Sequence, residues 1–236
     1  MKDIHSHILY GIDDGARSIE ESIEILEKLY ESGVTDIILT PHYISNSKYI
    51  SSVLENKKIL NKIKRKYKKI NLYLGNEVYI DYNLVELLDK KLITTLNNSR
   101  YLLIELPMNS IVNDLDSMIY ELMRRGVTPI IAHPERYSYV QKNIKYLDQF
   151  IDMGVLLQGN YESLFGKYGK GSEKTLKKLL KKDYITFLGS DIHRNDSDIH
   201  TNEVVNKLRK ILKDEDKISD LIDNNIYKVI NDEEIK

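Results

Sequence analysis

Two observations predict an α/β fold of parallel strands approaching a barrel. Short apolar runs of strand length alternate with helical segments along the whole chain, the pattern of successive βαβ units. Almost every apolar run also ends on a histidine or a carboxylate. In barrels of parallel strands those ends gather on one face, where active sites are built. Seven such runs can be counted, close to the usual eight strands of such barrels.

The first run carries Met1 and Ile4 and delivers His5-Ser6-His7. Their imidazoles share one face of an extended backbone, because side chains two residues apart point the same way. A loop with Gly11 and Gly15 follows, carrying the paired carboxylates Asp13 and Asp14. Ser18 reads as an N-cap, with Glu21 completing a capping box. The helix behind it buries Ile19, Ile23, Leu26 and Tyr30 at helical spacing and stops at Gly33. The run 36–40 ends in Pro41-His42. Residues 48–69 are basic and partly helical, with Val53, Leu54, Ile59, Leu60 and Ile63 as the buried stripe and the lysines as a solvated face.

The run 71–77 ends on Glu77, a short helix covers 84–88, and the run 101–105 ends on Glu105. A helix over 111–125 is closed by Gly126, and the run 128–132 leads into His133-Pro134-Glu135-Arg136-Tyr137. A helix over 144–153 stops at Gly154 before the run 155–159. A basic helix over 174–182 precedes the run 184–189, which delivers Ser190-Asp191-Ile192-His193. Two weakly amphipathic helices finish the chain, and the polar tail after Ile230 is expected to fray. With no linker or repeat, 1–236 reads as one domain, its motifs within 1–200 and its C-terminal helices within 201–230.

Net charge is −1, which gives no support to binding nucleic acid or a membrane surface through bulk charge. There is no cysteine, so disulfides, thiolate ligands and a cysteine nucleophile are excluded. No basic segment followed by an apolar one opens the chain, and no apolar run approaches spanning length, so a cytoplasmic protein without an integral membrane segment is expected.

Of the six histidines, His5, His7, His42, His133 and His193 take strand-end positions, and only His200 does not. Glu77, Glu105 and Asp191 join them. Unpartnered, so many buried imidazoles and carboxylates would carry a heavy desolvation cost. A metal site resolves it, and His, Asp and Glu donors suit Mn²⁺, Fe or Zn²⁺ better than a soft metal. The donors are too many for one ion, so two or three are expected. Arg136, just past the His133 strand end, can clamp two phosphate oxygens bidentately. Its other reading is an ion pair with Glu135 or a neighbouring carboxylate.

These motifs together (His5-Ser6-His7, Thr40-Pro41-His42, the Glu77 and Glu105 strand ends, His133 to Tyr137, Gly189 to His193) resemble the polymerase-and-histidinol-phosphatase (PHP) superfamily. More narrowly, the stretch from His7 to Gly15 and the His133–Tyr137 block resemble its bacterial tyrosine-protein phosphatase branch, associated with capsular and exopolysaccharide synthesis. The resemblance extends from Met1 to about His193. It implies a distorted seven-stranded β/α barrel, a TIM-like PHP fold, holding a trinuclear and typically Mn²⁺ site. His5, His7, Glu77 and Asp191 would hold one ion, and Glu77 would bridge to a second held by Glu105 and His133. His42 and His193 with Asp13 would hold the third, Asp14 being the alternative to Asp13. A second phosphate-binding arginine falls on Arg194, which departs from the family spacing.

The resemblance further implies hydrolysis of phosphotyrosine by a metal-activated hydroxide, on the tyrosine-rich tail of a bacterial kinase that controls polysaccharide assembly. The alternatives are a small-molecule phosphatase such as histidinol phosphatase, a PHP-type nucleic-acid phosphoesterase, and a catalytically dead binding module. Short loops after the strands favour an open, peptide-admitting mouth, with Tyr43, Tyr137, Tyr139 and Tyr161 lining its rim.

Overall fold

The computed structural model describes residues 1–196 and 201–235, so Ser197, Asp198 and His200 lie outside the described residues. In chain order the elements are β1 (Lys2–Asp3), α1 (Ile19–Glu31), β2 (Asp36–Leu39), β3 (His42–Tyr43), α2 (Val53–Lys66), β4 (Asn71–Leu74), β5 (Glu77–Tyr79), α3 (Leu84–Asp89) and β6 (Tyr101–Glu105). Then come α4 (Leu115–Arg124), β7 (Thr128–Ala132), α5 (Ser138–Lys142), α6 (Asp148–Asp152), β8 (Leu156–Asn160), α7 (Gly169–Lys181), β9 (Phe187–Gly189), α8 (Thr201–Leu212), α9 (Glu215–Ser219) and α10 (Asn225–Ile230). No helix among the described residues is long and apolar enough to cross a membrane.

The fold is α/β with parallel sheets. One sheet runs β1-β2-β4 and the other β3-β5-β6-β7-β8-β9, every pairing parallel. Each of the seven expected runs forms strand, but two are divided. The second breaks between β2 and β3 at Thr40-Pro41, where proline has no N–H for the ladder. The third breaks between β4 and β5 at Gly75-Asn76, where Leu96 packs so closely that a Cβ on Gly75 would stand 2.5 Å from its Cδ2. Across both breaks the backbone stays paired, Gly75 N–H donating to Leu39 O (2.8 Å) and Glu77 N–H to Pro41 O (3.2 Å). A parallel bridge between Ser6 and Ile192 sets the first segment beside the last, with Asp191 N–H donating to His5 O and His7 N–H to Ile192 O.

Alternation along each strand sorts the core into layers. Leu103, Ile130 and Phe187 meet Ile4 and Ile38 in one cluster, which Ile226 and Val229 of α10 cover. Their neighbours Leu102, Ile104, Ile131 and Leu188 point the other way, into the layer beneath the helices.

Several local expectations shift. The α1 cap is present, Ser18 Oγ accepting from Glu21 N–H, but the buried stripe is Ser22, Ile25, Leu26 and Leu29, while Tyr30 is exposed. Ser22 can be buried because its hydroxyl donates to Ile8 O at 2.7 Å. In α2 the buried residues are Asn56, Leu60 and Ile63, and Leu54 is exposed. Helix α4 starts at Leu115 rather than at residue 111, because its cap Asp114 is left-handed (φ 54°). The helix expected over 144–153 is a 3-10 turn followed by α6, and α7 begins at Gly169, five residues before the expected start.

The tail is pinned, not frayed. Tyr101 donates its hydroxyl to Glu233 O (2.7 Å) and accepts from Ile235 N–H (3.2 Å), while Arg100 bonds Asp232. Replacing Tyr101→Phe should therefore lower unfolding free energy by about 1 kcal/mol, read as an earlier urea midpoint at unchanged slope.

Candidate metal centre

The strand ends bring eight of the expected residues together, and Glu77 sits at their middle. Glu77 opens β5, fully buried, directly across the ladder from His42 at the start of β3. Its Oε2 lies 3.2 Å from His5 Nε2, 3.3 Å from His7 Nε2 and 3.0 Å from His42 Nδ1. Its Oε1 lies 3.0 Å from His133 Nε2. Asp191 Oδ1 is 3.4 Å from both His5 Nε2 and His7 Nε2. Glu105, ending β6, reaches within 3.8 Å of His133 Nε2 and 4.0 Å of His42 Nδ1. A third group forms at the rim, where Asp14 Oδ1 lies 3.4 Å from His193 Nε2 and 3.7 Å from His42 Nε2.

Donor atoms roughly 2.0–2.2 Å from a shared ion stand about 3 Å from one another. Among the described residues four sets of ligand atoms could share an ion: His5, His7 and Asp191; His5, Glu77 and His133; His42, Glu77 and Glu105; and His7, Asp14, His42 and His193. Two donors at the centre, Glu77 Oε2 and His42 Nδ1, are buried with no hydrogen-bond partner, a costly state unless a cation satisfies them. The donor chemistry therefore fits metal ions. A neutral imidazole has one lone pair, so His42 serves either the Glu105 group through Nδ1 or the Asp14 group through Nε2.

Hydrogen bonds fix the ring tautomers. His5 Nδ1–H donates to Gln158 Oε1 (2.8 Å), His7 Nδ1–H to Asp13 Oδ2 (2.7 Å) and His193 Nδ1–H to Asp191 O (2.8 Å). Each commits Nδ1 to an outer acceptor and turns Nε2 toward the centre, the orientation that metal-ligating histidines need. Gln158 Nε2 in turn donates to Asn160 Oδ1, and Asn160 Nδ2 to Asp191 Oδ2 (2.7 Å). His133 (φ 33°) and Asp191 (φ 54°) both hold left-handed backbone, a strained state that ordinary residues keep only where the surroundings impose it.

The field of the site attracts positive charge. Burial pushes Glu77 up, but the surrounding histidines, His5 first, hold its carboxyl well below the usual carboxylate range. Burial opposes charge on His5 too, yet the Glu77 and Asp191 carboxylates raise its pKa to about 9. Burial pushes Glu105 up to about 7, the Glu77 charge adding to it, and holds His133 down at about 4.

Several expectations are corrected. Asp13 is not among the converging donors: Oδ2 is taken by His7 Nδ1–H and His42 N–H, and Oδ1 by Gly15 N–H. Asp14 takes the converging position instead. Gly15 is required behind them, since a Cβ there would stand 2.0 Å from His7 O. Arg194 is not brought into the cluster; its Nη1 lies 3.6 Å from Glu21 Oε2. Arg136 does reach it, Nη1 donating to Asp191 Oδ2 at 2.8 Å while the guanidinium lies 4.4 Å from the centre of the Tyr168 ring. Glu135 is not its partner, being turned inward to accept from Ser163 Oγ and Asn160 N–H. Tyr137 and Tyr161 are buried rather than rim residues, Tyr137 donating to Ala132 O and accepting from Leu106 N–H.

The family model for capsular polysaccharide synthesis, CpsB/CapC, matches residues 1–231. The chain belongs to the CpsB/CapC family. CapC of Staphylococcus aureus is 40% identical over 197 residues, which cover 82% of this chain and 77% of that protein. The tyrosine-protein phosphatase CpsB of Streptococcus pneumoniae is 34% identical, over 84% of each chain. The tyrosine-protein phosphatase YwqE of Bacillus subtilis is 31% identical over 89% of this chain and 84% of its own. A chain from the crystal structures of YwqE and CpsB, described as unique metal-dependent tyrosine phosphatases, superposes with a TM-score of 0.90 at 27% identity, covering 100% of this chain and 96% of that one. Histidinol phosphate phosphatase from Lactococcus lactis shares the fold, with a TM-score of 0.59 at 14% identity over 89% of this chain and 92% of its own.

In this CpsB/CapC chain the supporting layer is what sequence reasoning missed: Asp13 as the partner of His7, Gln158, Asn160 and Tyr168. Gln158 and Asn160 had a usable signal, since they repeat at the end of β8 the spacing of His5 and His7. Tyr168 had none.

Proposed function

We propose that the chain is a metal-dependent protein-tyrosine phosphatase, independent of cysteine, acting in the cytoplasm on a bacterial tyrosine kinase that regulates capsular or exopolysaccharide synthesis. The observation that carries this is Glu77, buried with its two carboxylate oxygens 3.0–3.3 Å from nitrogens of four histidines, in a cysteine-free CpsB/CapC chain. In this reading 1–236 is one domain and its two sheets are a single distorted seven-stranded barrel. β2 with β3 and β4 with β5 are then two bent strands, and the Ser6–Ile192 bridge closes the ring.

His5, His7, Glu77 and Asp191 would hold one ion, Glu77, Glu105 and His133 a second, and Asp14, His42 and His193 the third. Mn²⁺ is the ion best matched to these hard oxygen and imidazole donors, with Fe and Zn²⁺ the next. Bound there, such ions polarise a phosphoryl group and make a hydroxide available near neutral pH. The chain's own residues position the ester. Arg136 keeps one guanidinium edge on Asp191 and presents the rest of its donors to phosphate oxygens, held flat by Tyr168. The absence of cysteine excludes a phosphocysteine intermediate, and in this reading the phosphoryl group passes directly to water as tyrosine leaves.

Asp13 orients His7 and so acts through it. Asp13→Asn should weaken metal binding about 10–100-fold, measured by competition against a fluorescent chelator. Asp14→Asn should instead remove one ion per chain. The reading is tested by comparing kcat/KM for a phosphotyrosine peptide and for histidinol phosphate with the Mn²⁺-loaded chain. Preference for the peptide supports it; preference for histidinol phosphate would keep the metals and overturn the substrate.

A further inference from the structure

Helix α7 carries a ladder of like charge. Lys170, Lys174, Lys178 and Lys181 follow at spacings of four, four and three, which places them along one side of the helix. All four are exposed, and among the described residues none makes an ion pair at contact distance, although Glu173 lies within the field of Lys170. With Lys177 and Glu173, which pair with each other, they line an open depression of about 490 Å³. Like charges at this spacing work against a helix. What holds it is the opposite side, where Leu176, Leu179 and Leu180 are buried.

The ladder continues from the centre described above. Tyr168, the residue before α7, lies beneath the Arg136 guanidinium, and Lys167 Nζ is 5.9 Å from the centre of the same ring. Lys167 itself pairs with Glu162, so the unpaired lysine face begins at Lys170, two residues beyond the tyrosine that supports Arg136. The 13 residues of α7 span about 20 Å, the reach of roughly six residues of extended peptide. Helix α2 has Lys58 and Lys62 at similar spacing, but nothing among the described residues ties α2 to Arg136.

We infer that the lysine face of α7 receives an acidic segment flanking the phosphotyrosine that Arg136 binds. This rests on the proposed activity for the phosphotyrosine itself, and adds the substrate class: peptides with carboxylates or further phosphates to one side of the target. A membrane surface fits less well, because the apolar residues of α7 are buried and leave nothing to insert. Each exposed charge pair is weak and salt-screened, so the selectivity comes from several acting together.

The test is fluorescence anisotropy with the Mn²⁺-loaded full chain and two labelled peptides. In both, a difluorophosphonate replaces the phosphate ester so that neither turns over. One is flanked by glutamates and the other by glycine and serine. The glutamate peptide should bind roughly fivefold to fiftyfold tighter through three or four exposed pairs. The gap should collapse at 1 M salt, where the Debye length is about 3 Å. It should also collapse in K170E/K174E/K178E and in the milder K170Q/K174Q/K178Q. Equal affinities for the parent chain, or a gap unchanged in both variants, would overturn the inference. So would binding to phosphatidylglycerol vesicles with no gap between peptides, which would give the face to a membrane. A gap that persists in a chain unable to hydrolyse phosphotyrosine would overturn the proposed activity and leave the track standing.

Discussion

Glu77→Gln should abolish phosphotyrosine hydrolysis while leaving the fold intact. The substitution keeps the side chain's shape but places an amide among nitrogens that now face a carboxylate: His5, His7 and His42 around Oε2 and His133 beside Oε1. Among the described residues Glu77 is the carboxylate of the centre that lies against four histidines at 3.0–3.3 Å. A residue that only supports a ligand costs about 10–100-fold when lost, whereas Glu77 is proposed to be shared between two ions. The expected fall in kcat is therefore at least about a thousandfold, beyond that supporting range, together with loss of bound metal by elemental analysis. Circular dichroism should be unchanged, because the surrounding core of Ile4, Ile38 and Leu103 is untouched. An E77Q protein with parental turnover would remove Glu77 from the mechanism.

Arg136→Ala should lower kcat/KM by about 10²–10³-fold with metal content retained. The two effects separate because Asp191 Oδ2 keeps its second donor, Asn160 Nδ2 at 2.7 Å. Arg136→Lys should recover only part of the loss, since a point charge cannot grip two oxygens in a plane or lie flat on Tyr168. If Arg136→Ala turned over at the parental rate, the arginine would be no more than the partner of Asp191. That bland alternative has some basis, as the ion pair at 2.8 Å is real. The partly exposed remainder of the guanidinium, with no other hydrogen bond among the described residues, is what argues for a phosphate.

The strand ends were legible because each carried a chemical label after an apolar run. His5, His42, Glu77, Glu105, His133 and Asp191 needed only strand alternation and parallel topology to converge. What lay beyond reach depended on loop backbone and side-chain direction. Asp13 and Asp14 are adjacent carboxylates in an irregular loop, and only the turn at Gly15, closed against His7 O, decides which one faces the histidines. The left-handed backbone at His133 and Asp191 leaves no mark in the residue types. Helix α1 was placed correctly but rotated, because Ser22 is buried through its hydrogen bond to Ile8 O while Tyr30 turns outward. The tail looked free because its docking uses backbone groups of Glu233 and Ile235, which side-chain polarity cannot reveal.

The most direct measurement is turnover of a phosphotyrosine peptide by chelator-stripped protein as Mn²⁺ is titrated back. The account predicts no turnover in the stripped chain and a rise to a plateau at two or three bound ions, the count that this number of donors supports. Stripped protein that hydrolyses the peptide as fast as the reloaded chain would contradict it.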